Sequence, residues 1–336
     1  MPHAPTAAIR PVRLFSLCLC LCLCLAVLGA SPARAMEGGV SHYIQGAYGD
    51  FMMGYVPGPG LYLRNDTFFQ SARNSDFSLK GGRVYGELQN QMFMNLTKLS
   101  YLTEVPAIGG LMGMGVVIPV IANESINGSI SADYVRGSYK TKQYREGHIE
   151  KSGGGDRGGL SDVILMPVIM AWNLGECHIV VSPLVYLPTG YYNPHVLTNL
   201  GMNYLSFDGN VAFTWLSEKG LELSFNAGYM LSTENEATQY QSGQEFHFDW
   251  TAAFHPTERL SFGAVGYLYA QTTPDSGSGA RLGSYMSQSA GIGPAISYAA
   301  ALGGVNVVLE SKWLHDVAAQ NRMTGDMVYG SFMVKF

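Results

Sequence analysis

The sequence predicts an all-β protein, a transmembrane antiparallel β-barrel of about 12 strands, or 14 if the N-terminal half holds a further hairpin. Three observations predict it. Long runs alternate strictly between an apolar and a small or polar face, as strands with lipid on one side and a lumen on the other must. The connections between these runs alternate between tight and long. Finally, the chain of 336 residues is 47% hydrophobic but only 13% charged, with 41 Gly and a mean hydropathy of +0.08. That charge is about half the share of roughly 25% usual for soluble domains, which excludes a disordered tail or a charged coiled coil. No stretch after residue 35 supplies the roughly 20 apolar residues of a membrane helix, so the apolar excess is spread along strands.

The N-terminus reads as an export signal. Arg10 and Arg13 precede an apolar run from Leu14 to Ala30, and Ala33-Arg34-Ala35 offers small residues for cleavage after position 35. Residues 1–35 hold four of the five cysteines, three basic residues and no acid. The mature chain is therefore more acidic than the formal net charge of −5, which argues against nucleic-acid binding. It keeps Cys177 alone and has no internal disulfide to form. Cys177 with His178 is too isolated for a metal site.

Residues 36–60 form a separate segment, rich in glycine and carrying Tyr48, Phe51, Met53 and Tyr55. They read as a periplasmic start with an ordinary first hairpin. The barrel occupies residues 61–336. Its strands centre near Tyr62, Phe93, Val116, Met166, Val181, Ala212, Phe225, Trp250, Ala264, Ile292, Val307 and Phe332. The alternation is clearest where Leu221, Leu223, Phe225, Ala227, Tyr229 and Leu231 are interleaved with polar and small residues, and where Phe246, Phe248, Trp250 and Phe254 flank Glu245, His247 and Asp249. Runs of 217–220 and 255–259 are tight polar turns, whereas 139–159, 191–200, 232–244 and 272–285 read as long loops, with Gly153-Gly154-Gly155 a flexible tip. Pro119, Pro167, Pro183 and Pro294 fall inside strands, and at least one of them should interrupt the hydrogen-bond ladder. At the end of the chain Phe332, Val334 and the terminal Phe336 share one face. Such an ending resembles the signal read by the outer-membrane barrel-insertion machinery.

The inward faces carry Glu222, Asn226, Glu245, His247, Asp249, Tyr267, Tyr269, Gln271, Glu310 and Lys312 as lumen candidates. Pairing lowers the cost of holding charge away from water, as Glu310 or Glu222 would do for Lys312. His247 beside Asp249 has the spacing of a base and its orienting acid. No G-x-S-x-G elbow or H-E-x-x-H motif accompanies it, so a membrane-embedded lipid hydrolase is a minor reading and the chain reads as no enzyme. No cofactor or metal motif is present.

Several strings, in order, resemble one outer-membrane family. They are Leu187-Pro188-Thr189-Gly190-Tyr191, Asn199-x-Gly201-x-Asn203, Gly220-x-Glu222-x-Ser224, Gly228-Tyr229, NEATQYQSG over 235–243 and Phe246-His247-x-Asp249. Gly266-Tyr267-x-Tyr269-x-Gln271, Asp275-Ser276-Gly277-x-Gly279-Ala280 and Gly291-x-Gly293-Pro294 follow, with Glu37-Gly38-Gly39 and Pro57-Gly58-Pro59-Gly60 upstream. The family is named after the meta pathway of phenol degradation and is related to long-chain fatty-acid transporters. The resemblance covers most of residues 37–336 and is best from about 185. It implies a channel in the Gram-negative outer membrane, surrounded by its lipid, moving hydrophobic or aromatic small molecules, and, as in the related fatty-acid transporters, a plug formed by residues 36–60 with Tyr48, Phe51, Met53 and Tyr55. A general porin and a non-transporting surface barrel are the alternatives. Few charged residues are available for a porin constriction, while the many Met and Tyr suit apolar ligands.

Overall fold

The computed structural model describes residues 41–74, 83–138, 143–196, 198–280, 286–302 and 305–336. The expected export signal over 1–35 lies outside them. Fourteen strand segments follow in order: β1 (Gly60–Asn74), β2 (Arg83–Val105), β3 (Gly110–Ser138), β4 (Gln143–Leu160), β5 (Ile164–Leu174), β6 (Cys177–Val181), β7 (Leu184–Tyr186), β8 (Ser206–Leu216), β9 (Leu221–Ser232), β10 (Glu245–Phe254), β11 (Leu260–Gln271), β12 (Gln288–Leu302), β13 (Val305–Gln320) and β14 (Thr324–Lys335). Each pairs antiparallel with its neighbours, and β1 pairs β14 from Tyr62↔Lys335 to Arg73↔Thr324, which closes the sheet. Closure leaves few backbone groups to face lipid unpaired.

The segments make 12 staves, because two staves are each broken once. β3 pairs β4 above and β5 below, so β4 and β5 are halves of one stave parted at Ser161–Val163. β6 and β7 likewise lie end to end between β5 and β8, parted at Ser182–Pro183. The 12 strand centres expected from the sequence each fall in a different stave.

Alternation appears directly as exposure. On β9, Leu221, Leu223 and Leu231 are exposed while Glu222 and Met230 are buried. Phe207, Phe262, Ile296, Trp313 and Phe332 also point outward, a set of bare apolar side chains that suits hydrocarbon and would be a liability in water. Short turns gather at one rim. Two of them need glycine, since Gly175 and Gly220 hold φ of 68° and 78°. Phe336 donates its N–H to Leu61 O at 2.8 Å, tying the chain end to the first stave.

One expected loop is a strand. Of the stretch expected as a loop over 139–159, the described residues form no solvated loop with a glycine tip: Gln143–Leu160 is a strand that pairs with β3 down to Leu160. Polar composition misleads here because a hairpin above the bilayer has no lipid face to advertise. Gly154 and Gly155 lie against Asn127 and Thr198, and Thr198 Oγ1 donates to Gly155 O at 2.8 Å.

The prolines behave as expected, and two of them converge. Pro183 parts β6 from β7. Pro167 lies in the stretch of β5 that pairs with neither, between Leu165↔Val185 and Met170↔Val181, and at a register shift against β3. Pro119 faces the gap between β4 and β5. Each lacks the N–H that would continue a ladder. Pro167 and Pro183 lie at one level and make one interruption between β5 and β6/β7, whereas the Pro119 gap is separated from it by the pairs Gly115↔Met166 to Val117↔Ile164. Pro294 breaks a separate ladder, where β12 and β13 skip from Ile292↔His315 to Ala295↔Lys312.

The candidate lumen site

Residues 41–59 are not a first hairpin. They fold into successive tight turns, with Ala47 N–H donating to Ile44 O and Tyr55 N–H to Met52 O, and they contact inward side chains of many staves. Because a lone segment of this length cannot bury its own polar groups, the wall supplies partners.

At one end of the segment Ser41 donates to Glu245. His42 is held between Asp162 (2.9 Å) and Ser206 (2.7 Å). Tyr43 is buried, stacks on His247 with ring centroids 4.3 Å apart and on Tyr269 at 5.6 Å, and donates its hydroxyl to Asp249 at 3.0 Å. Burial, then the Asp249 charge, push the Tyr43 phenol up, so it stays a donor. At the centre Lys312 Nζ donates to Gly46 O (2.7 Å), Gly49 O (3.0 Å) and Asp50 Oδ1 (2.8 Å). Arg64 reaches Asp50 (2.9 Å), Asp66 (2.8 Å) and Glu310 (3.3 Å). Burial raises the Asp50 carboxyl, but Arg64 and Lys312 outweigh it and hold the group below its ordinary range. Toward the short-turn rim Thr214 accepts Gly54 N–H at 2.9 Å, Asn173 donates to Val56 O at 2.7 Å, and the Phe51 and Tyr55 rings meet His255 and His178 edge-on.

All ten lumen candidates do face inward, but most serve the segment or the loops. Glu245, His247, Asp249, Tyr269 and Lys312 hold the segment, and Glu222 accepts from Met52 N–H. Tyr267 donates to Asp316. Gln271 donates to Asp275 at 2.6 Å, which also accepts from Tyr240 and Gly243 and so anchors two long loops. Two expected pairings are corrected. Lys312 takes Asp50 rather than Glu310 or Glu222, because the segment places its carboxylate between them; Glu222 pairs His255 at 2.6 Å. His247 belongs first to Asp208, at 3.0 Å, and only at 3.8 Å to Asp249. With Tyr43 stacked across its ring, His247 has the surroundings of a brace and not of an accessible base.

Beside the segment lies a cavity of about 280 Å³. Tyr48, Phe51, Met53 and Tyr55 of the segment line it, with Asn226 and Glu310 from the candidate set. The opposite wall is Leu96, Leu102, Val117, Ile164, Met166, Ile169 and Leu184. Ile164, Met166 and Ile169 come from one broken stave and Ser182, Leu184 and Tyr186 from the other, so the cavity abuts the wall interruption. The sequence reading missed His42, Asp50, Arg64, Lys98, Asp162 and Asp208. Arg64 and Asp66, charged two residues apart and so on one face of β1, were the signal available.

These features define a closed transmembrane β-barrel whose lumen is filled by its own N-terminal segment. The chain belongs to the family described as "Putative MetA-pathway of phenol degradation", whose model matches residues 73–332. Among solved structures it is similar to the COG4313 outer membrane channel from Pseudomonas putida F1, at 11% identity and a TM-score of 0.63, covering 88% of this chain and 100% of that one. A Pseudomonas aeruginosa FadL homologue is more distant, at 8% identity and a TM-score of 0.36, covering 90% and 97%. The first likeness shows the fold. No curated protein matches the sequence.

Proposed function

We propose that this barrel is an outer-membrane channel for hydrophobic or aromatic small molecules, exported by the signal in residues 1–35 and inserted through its C-terminal Phe332, Val334 and Phe336, with no catalytic role. The observation that carries the reading is the apolar cavity lying against the interruption between β5 and β6/β7. A ligand reaching that cavity finds Tyr, Met, Leu and Ile on the inside and a stretch of wall without a continuous ladder toward lipid. Apolar molecules gain by leaving water at either face, whereas a hydrophilic solute meets a lumen filled by residues 41–59. That filling also speaks against a general porin.

The test is initial uptake in Gram-negative cells making the protein or an empty control, comparing toluene with a small hydrophilic sugar. Faster toluene uptake with unchanged sugar uptake is expected. Faster sugar uptake would establish a porin, and no change in either a non-transporting barrel. Val180→Trp, which puts an indole into the cavity from a half-buried position, should return toluene uptake close to the control while the barrel still folds. Full uptake in that variant would move the path elsewhere.

A further inference from the structure

The lipid face of β9 from Leu221 to Leu231 and of β10 from Phe246 to Phe254 carries no Ser, Thr or Asn. The lipid face of β1 and β2 does. The string Asn-x-Thr occurs once on each, as Asn65-Asp66-Thr67 and Asn95-Leu96-Thr97. Asn65 and Thr67 alternate onto the side of exposed Leu61 and Phe69, while Tyr62 and Phe68 are buried. Asn95 and Thr97 likewise fall on the side of exposed Phe93 and Leu99, opposite buried Met94 and Leu96. Antiparallel pairing sets Asn65 against Thr97 and Thr67 against Asn95, so the four make one cluster on the outside of the wall.

The cluster lies at mid-depth, between the outward rows Leu63–Leu99 and Phe69–Phe93. One row above the phenylalanines the wall turns polar, with Ser71, Asp326 and His315 level with one another, and two rows below the cluster Leu61 is level with exposed Tyr101. Leu61 to Ser71 is about ten residues, the length that spans a membrane as a strand. Lipid offers these side chains no partner, and they bond one another. Asn65 and Asn95 each donate Nδ2 to the other's Oδ1 at 2.8 Å, and Asn65 also donates to Thr97 at 2.9 Å. Thr67 accepts from Asn95 at 3.4 Å and finds no acceptor for its own proton among the described residues. The row continues past β1, where Thr67 is level with Gly330 and Gly330 with Ser311. A Cβ at Gly330 would meet nothing within 4 Å, so the wall there is open to a close approach.

We propose that this outer face, from β2 across β1 and β14 to β13, is where a second copy of the chain docks in the membrane. Apolar side chains gain little by exchanging lipid for protein, so interfaces between membrane proteins draw on small and polar residues. Two copies inserted in the same direction are related by a two-fold axis along the membrane normal, and each row then meets the same row of the partner. Asn and Thr meet Asn and Thr at one depth, and the Leu and Phe rows on either side meet themselves. Amides and hydroxyls both donate and accept, so identical groups can bond across the axis. The dimer takes the cluster out of hydrocarbon and offers Thr67 an acceptor. It forms whatever the barrel carries.

The experiment is disulfide crosslinking with copper phenanthroline in outer membranes of Gram-negative cells making the full-length protein, with Cys177→Ser as background. Thr67→Cys should give a covalent dimer, whereas Leu223→Cys, also exposed on the lipid face but on β9, should stay monomeric. Gly330→Leu, added to Thr67→Cys, extends only into open space. It should leave the unfolding midpoint of the purified barrel unchanged and cut the crosslinked fraction several-fold. Asn65→Leu with Asn95→Leu should also cut that fraction without lowering the midpoint. A cluster that only braces its own wall gives the reverse, a lower midpoint with an unchanged crosslink, and overturns the proposal. So does the absence of a dimer from Thr67→Cys, an equal dimer from Leu223→Cys, or a dimer indifferent to Gly330→Leu.

Discussion

Lys312→Met is expected to release residues 41–59 from the lumen and to raise single-channel conductance in planar bilayers several-fold. One ammonium ties three points of the segment, Gly46 O, Gly49 O and Asp50, to β13. Removing it breaks one of the two ion pairs of Asp50, which keeps Arg64, and so costs less than the roughly 3–5 kcal/mol of leaving a buried charge unpaired. It also leaves two buried carbonyls short of a donor, at about 1–3 kcal/mol each where no other partner replaces it. The staves themselves are held by backbone pairing that does not pass through Lys312, so the barrel should outlast the segment's release. A conductance equal to that of the native protein would show that the remaining contacts suffice. The pH dependence follows from the other half of the pair. The Asp50 carboxyl is lower in the folded protein than its ordinary value, so its contribution is complete above the unfolded value, near 3.9, and is lost as pH falls through the folded one. Native conductance should therefore be the same at pH 7 and pH 5, and should rise only in stronger acid. A rise already at pH 5 would refute this latch.

His247→Leu should have the largest effect on stability, lowering it by roughly 3–5 kcal/mol as read from the midpoint of unfolding in denaturant. The imidazole is buried, sits 3.0 Å from Asp208 and 3.8 Å from Asp249, and carries Tyr43 stacked on its face. Leucine has about the right size but leaves two buried carboxylates without their shared partner. Changing Asp208 to Asn in the same chain removes one of those charges. The double variant should then be more stable than the two single losses added together. Additive losses would mean that His247 and Asp208 act independently. An unchanged midpoint in His247→Leu would mean that packing alone holds Tyr43.

Much of this molecule was legible in its sequence, and the legible part shares one cause. A stave between lipid and lumen imposes period two on every residue, so Leu221 to Leu231 and Glu245 to Phe254 declare both their conformation and their orientation. The closed all-β fold, the number of staves and the inward direction of Glu222, His247, Asp249 and Lys312 all follow from that rule. Where the rule lapses the reading lapsed too. The β3–β4 hairpin extends past the bilayer and loses its apolar face, so a strand looked like a loop.

Partnership was decided by the tertiary structure alone. Asp50 precedes Lys312 by 262 positions and Ser41 precedes Glu245 by 204, and no periodicity connects them. The residues of 36–60 read as a plain hairpin, and a plug was implied only by the family resemblance. Only barrel closure, which brings inward faces from all round the wall onto one axis, gave that segment its hydrogen-bond partners. The same holds for the wall opening. Pro167 and Pro183 are separate ladder defects along the chain, and they become one gap because antiparallel register sets their staves side by side. Local sequence specifies which way each side chain points; what it meets there depends on a circuit of neighbours that exists only once the barrel is closed.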